Sequence, residues 1–186
     1  MRHQDRVLRR MKRLVWFYRI SSVGLFTLAF IVLLGGQGFR VNFTPSEPLG
    51  LWRIVGPDRP IRAGDMIFIC PPLTGEMREA RARGYLRFGL CAGRVAPLIK
   101  TVAATSGQAI EIHDDVRVDG RPLPHSRVAL LDGQGREMRP YGGGVIPPGT
   151  VFLHSEYPGS FDSRYFGPLP MDGILGLARE VWTYAP

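Results

Sequence analysis

The sequence predicts a mainly β domain, built as an antiparallel sheet, behind one N-terminal transmembrane helix, with a short helical insertion between two cysteines. Three observations carry this. From Ile20 to Phe39 the chain has no charged residue. Its 23 glycines and 16 prolines punctuate short runs rich in Val, Ile, Phe and Tyr, as many turns and short strands require. Beyond the N-terminal segment, only residues 76–83 string together good helix formers. Of the 186 residues, roughly 145 to 150 lie outside the apolar N-terminal segment, enough for one ordinary core.

Residues 1–19 hold seven bases (Arg2, Arg6, Arg9, Arg10, Lys12, Arg13 and Arg19) against the single acid Asp5. Most of the formal charge of +8 therefore sits in this tail, and residues 20–186 have 17 bases and 15 acids. That near balance leaves no domain-wide basic face for phosphates, so nucleic acid is not an expected partner. Residues 20–39 match a hydrocarbon core of about 30 Å at about 1.5 Å per residue. Trp16, Phe17 and Tyr18 stand at the near edge, as interfacial aromatics do, and the bases before them predict a cytoplasmic N-terminus. A cleaved secretory signal shares the basic start and apolar middle, but no A-x-A site follows here. The expected layout is a cytoplasmic tail at 1–19, an anchor helix at 20–39 in contact with the lipid bilayer, and a domain at 40–186 outside the cytoplasm.

The elements follow in order. Val41–Phe43 and Gly50–Val55 read as extended segments around Thr44-Pro45-Ser46-Glu47-Pro48, because both prolines oppose helix. Ser46 therefore sits on a stiff loop. Gly64-Asp65 turns into the apolar strand Met66–Cys70. Cys70 and Cys91 both fall outside the cytoplasm, where an oxidising compartment permits a disulfide; two buried free thiols are the alternative. The helix at 76–83 lies between them, with Gly84 or Gly89 to end it. Pro97–Ala104 is a strand apolar on both faces except for Lys100 and Thr101. Ala109–His113 and Val116–Val118 alternate as a hairpin does, a Gly-rich connection spans 132–144, and Thr150–Leu153 and Ile174–Arg179 are the last strands.

Lys12 and Lys100 are the chain's two lysines, and arginine supplies every other base. A lone lysine inside an apolar strand is suited to one task that arginine cannot perform, which is to lose its proton on burial. Moving it from about 10.4 to near 7 takes about 4 kcal/mol, within the reach of desolvation. A lysine with a buried stem and a solvated head is the plainer alternative. A serine hydroxyl needs an adjacent base before it can attack an amide, so the stiffly held Ser46 and the apolar-bedded Lys100 make a candidate pair.

At this point a resemblance becomes specific. Asn42-Phe43-Thr44-Pro45-Ser46-Glu47-Pro48-Leu49-Gly50-Leu51-Trp52 resembles the nucleophile box of the type I signal peptidase family, closest to its conjugative-transfer branch of TraF-type peptidases. Pro97–Ala104 resembles that family's lysine box, and Ser160-Phe161-Asp162-Ser163-Arg164-Tyr165-Phe166-Gly167-Pro168 resembles its last box. The Cys70-Pro71-Pro72 to Cys91 insertion is also like the conjugative branch. The resemblance implies Ser46 as nucleophile, Lys100 as general base, and an oxyanion hole from the Ser46 N–H and the Thr44 hydroxyl. It further implies that Ser160 orients the lysine and that Asp162 with Arg164 braces the site. It implies no cofactor, and a bacterial inner-membrane enzyme, crossing once, with a periplasmic catalytic domain. The implied substrate is a pilin or other membrane-inserted precursor, with a circular product if a pilin amine replaces water. The ten residues from Gly36 to Ser46 span at most about 35 Å, which keeps the site near the membrane.

Some residues depart from the general secretory pattern. Glu47 follows the serine where methionine is usual, Thr105-Ser106-Gly107-Gln108 replaces a P-G-D turn, and His154-Ser155 stands where Gly-Asp is common. These departures point to a dedicated substrate; a general signal peptidase and a non-catalytic, membrane-tethered assembly factor are the competing readings. A Ser/His/Asp triad could be drawn from Ser155 or Ser163, His154 and Asp162, yet no G-x-S-x-G elbow is present. His113 and His125 have no H-E-x-x-H context, and no metal site is expected.

Overall fold

The computed structural model describes residues 2–185, and the chain divides into two compact units, one up to Phe39 and the other from Arg40. The first is helix α1 (Arg2–Gly36). Its segment Arg13–Gly36 has a mean hydropathy of 1.9, and its length and composition fit a membrane span. Two of its hydroxyl side chains are satisfied within the helix: Ser22 Oγ donates to the Tyr18 carbonyl at 2.8 Å and Thr27 Oγ1 to the Val23 carbonyl at 2.9 Å. This is what hydrocarbon demands of polar groups. Two boundaries differ from expectation. The helix already includes the basic segment, and it closes at Gly36 rather than Phe39. Gly38 takes φ +88°, a conformation that ends helices and suits residues without a Cβ, and Phe39 already belongs to a strand.

The second unit is mainly antiparallel sheet. Its strands are β1 (Phe39–Asn42), β2 (Leu49–Val55), β3 (Met66–Ile69), β4 (Phe88–Cys91), β5 (Leu98–Thr105), β6 (Ala109–Ile112), β7 (Val116–Val118), β8 (Arg121–Pro122), β9 (Gly144–Val145), β10 (Thr150–His154), β11 (Leu169–Pro170) and β12 (Ile174–Tyr184). Seven form one sheet in the order β1-β2-β12-β3-β5-β10-β11, and four form a smaller one in the order β8-β7-β6-β9. β12 runs to Tyr184, five residues past the expected end, because its two halves have different partners. Ile174–Leu177 pair with β3, and Leu177–Tyr184 pair with β2.

β5 lies inside the large sheet, between β3 and β10. Its residues alternate between two cores, as the period of two dictates. Ile99 joins Trp52, Phe68 and Ala178 on one face, whereas Val102 joins Ile67, Ile69, Val151 and Leu153 on the other. The far end of β5 delivers Ala104 to a third cluster with Ile110, Val116, Ile146 and Phe152, which ties the small sheet to the large one. A strand with apolar packing on both faces and neighbours on both edges keeps water from its buried positions. Lys100, opposite Ile67 in the β3–β5 register, is 3% exposed for that reason.

Cys70 and Cys91 are joined by a disulfide. The loop it closes contains α2 (Gly75–Ala82), one residue earlier than read from sequence because the Thr74 hydroxyl caps it by accepting from the Met77 amide. Met77 and Ala80 press into the same core as Ile67 and Val102. The cross-link spans 21 residues, for which loop-closure entropy gives about 3 kcal/mol. Replacing both cysteines by serine is expected to lower the free energy of unfolding by about that amount, measured by urea denaturation of the detergent-solubilised chain. An unchanged midpoint would mean that α2 holds its place by packing alone.

Candidate functional site

The loop between β1 and β2 carries Ser46, and its shape is set by Asn42. That side chain is buried at the end of β1. Its Nδ2 donates to the carbonyls of Thr44, Glu47 and Pro48 at 2.9, 2.9 and 3.0 Å, while Oδ1 accepts from the Thr44 amide at 3.0 Å and the Thr44 hydroxyl at 2.7 Å. A six-residue loop with two prolines has few amides with which to satisfy its own carbonyls, and one amide side chain does so here. Trp52, fully buried, adds its indole N–H to the Pro48 carbonyl at 2.9 Å. The Ser155 hydroxyl donates to the Ser46 carbonyl from 109 residues away. Gly50 is required beside this loop, since its φ of +128° would direct a Cβ into the Trp182 backbone.

Ser46 Oγ has Thr44 Oγ1 as its polar neighbour, at 3.4 Å. The Thr44 hydroxyl proton is directed to Asn42, so donation to an oxyanion would need that hydroxyl to rotate. A cleft of about 570 Å³ opens beside Ser46 and Glu47, lined further by Met66, Thr101, Ala103, His154 and Tyr157. Its floor is the β3, β5 and β10 part of the sheet, because Thr101 pairs with both Met66 and His154.

Lys100 belongs to the same neighbourhood. Burial pushes its ammonium below the ordinary lysine range; the charges of Asp162 and Glu47 act against that and Arg164 acts with it. Asp162 and Arg164 are fully buried and locked together, with Nε to Oδ1 at 2.8 Å and Nη2 to Oδ2 at 2.9 Å. Arg164 also donates to the carbonyls of Arg127 at 2.7 Å and Ser160 at 3.2 Å, so each of its three nitrogens has an acceptor. The Ser155 amide donates to Asp162 Oδ2 at 3.1 Å. Burial alone would raise the Asp162 carboxyl, but His154 and Arg164 outweigh it, and the group is held below the ordinary carboxylate range. Ser160 is buried nearby with its hydroxyl lacking a hydrogen-bond partner, so it makes no bond to Lys100 in this state.

The Ser/His/Asp grouping is brought together in space without forming a triad. His154 Nδ1 stands 3.5 Å from Asp162 Oδ2, while Nε2 faces the Pro124 carbonyl at 3.3 Å. The Ser155 hydroxyl is spent on Ser46, and the Ser163 hydroxyl accepts from the Leu153 amide at 2.9 Å. No serine hydroxyl therefore faces the imidazole. Among the described residues no group of three or more His, Cys, Asp or Glu side chains is placed to hold a metal ion.

Sequence reasoning named Ser155 as a triad candidate, Glu47 as a departure from the general pattern and Asn42 within the nucleophile box, but it gave neither the clamping of the Ser46 loop by Asn42 and Ser155 nor the burial of Glu47. Glu47 is 9% exposed, and its carboxyl is raised to about 7, first by burial, with Lys100 opposing. Its departure from the usual methionine was visible as a signal, but not its burial.

The family model described as signal peptidase, peptidase S26, matches residues 13–183. The chain belongs to that family. It is 64% identical over 149 residues to a probable conjugal transfer protein TraF of Sinorhizobium fredii, covering 80% of this chain and 79% of that protein. It is 53% identical over 177 residues to the conjugal transfer protein TraF of Agrobacterium tumefaciens, covering 95% and 99%. The plasmid transfer protein TraF of Escherichia coli is 36% identical over 180 residues, covering 94% and 99%. The S26 match extends from within α1 to the end of β12, and so takes in the Ser46 loop, β5 and the Asp162–Arg164 pair together.

In this S26 domain, Arg164→Leu leaves Asp162 as an uncompensated buried charge and is expected to cost about 3 to 5 kcal/mol, read from denaturant unfolding. The Asp162 contribution also has a sign in pH. Its folded value lies below the unfolded one of about 3.9, so the stabilisation is complete above that value and is lost as pH falls through the lower folded value. Asp162→Asn should flatten this acid limb of stability against pH; an unaltered limb would exclude Asp162 as its source.

Proposed function

We propose that this chain is a membrane-anchored serine endopeptidase whose nucleophile is Ser46 and whose general base is Lys100. The observation that carries the reading is the state of Lys100. The one lysine of the domain is held in an interior strand, where burial favours the neutral amine, in an S26 chain whose Ser46 loop borders the same strands.

The chemistry follows from the two groups. Neutral Lys100 accepts the Ser46 proton as Oγ attacks the scissile carbonyl, and the Ser46 N–H with the Thr44 hydroxyl receives the developing oxyanion. On collapse, the lysine ammonium returns the proton to the leaving amine and an acyl-enzyme remains; water or a second amine then releases it. Ser46 and Lys100 are not hydrogen-bonded in the free protein, where such contacts are commonly open until substrate is bound. Ser160 is assigned the orienting of Lys100, and the Asp162–Arg164 pair the bracing of the loop before α3 (Ser163–Phe166).

For the whole molecule, the reading is a basic cytoplasmic tail at 1–19, a single inner-membrane span and a periplasmic peptidase domain from residue 40. The substrate assigned is a membrane-inserted precursor, a conjugative pilin in plasmid transfer. The relatives named as conjugal and plasmid transfer proteins over nearly their whole length support that choice over bulk secretion. Ser46→Ala and Lys100→Ala are each expected to reduce processing of the precursor by about 10³-fold or more. Lys100→Arg should do the same, since a guanidinium is not deprotonated. Precursor and product masses in isolated membranes provide the readout, and full processing in any of these variants would reject the dyad. The same spectra separate the two fates of the acyl-enzyme, a circular product being one water lighter than a linear one.

A further inference from the structure

Residues 71–96, most of them inside the loop that the Cys70–Cys91 disulfide closes, carry the excess charge of the domain. They hold five arginines against two glutamates, whereas the rest of the domain from residue 40 holds 12 bases and 13 acids. Glu79 is paired with Arg83 at 2.5 Å, and among the described residues Arg78, Arg87 and Arg94, all exposed, form no ion pair. The same stretch exposes apolar side chains. Phe88 and Leu90 stand two apart on β4 and so share a face, at 72% and 97% exposure. The opposite face is pinned, since a Cβ on Gly89 would meet the Ala96 backbone at 2.4 Å and Cys91 is held by its disulfide. The strand therefore cannot turn Phe88 and Leu90 inward. A hollow of about 420 Å³ in the same insertion is lined by Leu73, Met77, Ala82 and Val95 together with Arg78 and Arg81. Apolar side chains held outward among cations mark a face for a partner that is itself apolar and acidic.

The insertion leaves the sheet next to the cleft. β3 contributes Met66 to the cleft and runs into Cys70, about 13 Å further along the chain. β5 accompanies it, with Thr101 opposite Met66 and Leu98 opposite Ile69. We propose that the insertion is an exosite for the precursor: a substrate segment outside the cleft, bearing acidic and apolar side chains, docks on Phe88, Leu90 and the arginines while the scissile bond lies at Ser46. The proposal rests on the peptidase reading of the cleft and adds a source of selectivity to it. Contacts inside the cleft reach only the residues around the scissile bond. A precursor already held at the insertion presents that bond at high effective concentration, which a chain lacking the docking segment does not. Acidic residues opposite the arginines steer the encounter, and the apolar face supplies the affinity. Binding energy of this kind is the same in the ground and transition states, so it lowers KM and leaves kcat unchanged.

Two substrates separate docking from catalysis: the pilin precursor, and a short peptide that spans its cleavage site without extending to the insertion. Both are assayed with the full chain in detergent micelles free of lipid. Phe88→Ser combined with Leu90→Ser is expected to raise KM for the precursor about tenfold with kcat unchanged, and to leave cleavage of the peptide as it was. Arg78→Glu combined with Arg87→Glu should raise the precursor KM by a similar factor and weaken its dependence on salt. All four side chains are exposed, and unchanged peptide cleavage shows in the same assay that each variant is folded. An unchanged precursor KM in both variants, or an equal loss on both substrates, overturns the exosite and leaves the Ser46/Lys100 reading standing. A defect seen only in vesicles of phosphatidylcholine and phosphatidylglycerol, and not in micelles, assigns the face to the bilayer and overturns it as well. Processing that survives Ser46→Ala overturns the peptidase reading itself, and the exosite with it.

Discussion

The burial of Lys100 is the constraint around which the domain is arranged. An ammonium withdrawn from water is costly unless it finds a partner or gives up its proton. β5 creates that condition by lying between β3 and β10 with apolar side chains on both faces. The same packing that makes the strand a good core element makes its one lysine hold its proton less tightly. Stability and the condition of the lysine draw on the same contacts, so loosening Ile67 or Val102, both fully buried, would admit water and move Lys100 back towards the ordinary lysine range.

Ser46 is held by the opposite means. Its loop has no core of its own, and backbone carbonyls that cannot pair with strand amides converge on the Asn42 side chain, the Trp52 indole and the Ser155 hydroxyl. The prolines restrict φ at two positions, but alone they would leave these carbonyls unsatisfied. Rigidity at Ser46 is therefore a matter of polar satisfaction, whereas the condition of Lys100 is a matter of apolar exclusion. The cleft lies where these two kinds of order meet.

That distinction explains what could be read from the residues alone. Ser46 between two prolines and a lysine in an apolar run are local patterns, and so are the span at the N-terminus, the hairpin of β6 and β7, and the helix between the cysteines. Asn42 and Ser155 carry no such pattern. Asn42 is an ordinary residue at the end of a short strand until the loop folds back over it, and Ser155 meets Ser46 only because β10 lies next to β5 in the sheet. The length of β12 was hidden for the same reason, since Val181 and Trp182 are exposed and the strand continues through them by pairing with β2. The close approach of His154, Ser155 and Asp162 was suggested by their proximity in sequence, but their hydrogen bonds, which rule out a triad, required the fold.

The two buried cations show why arginine and lysine are not exchangeable here. Arg164 presents a planar fork whose donors are consumed by Asp162 and by backbone carbonyls, and it keeps its charge under all conditions. It can therefore brace the loop before α3 but cannot act as a base. Lys100 offers a compact amine without such a saturated set of partners, and its charge depends on what surrounds it. Asp162 is hydrogen-bonded to the arginine, yet its charge still acts on the lysine more strongly than that of Glu47, and Arg164 opposes it. The other acid acting on Lys100 is Glu47, whose own carboxyl burial raises to about 7, so the charge it offers the lysine changes across neutral pH, whereas Asp162, held below the ordinary carboxylate range, offers a constant one.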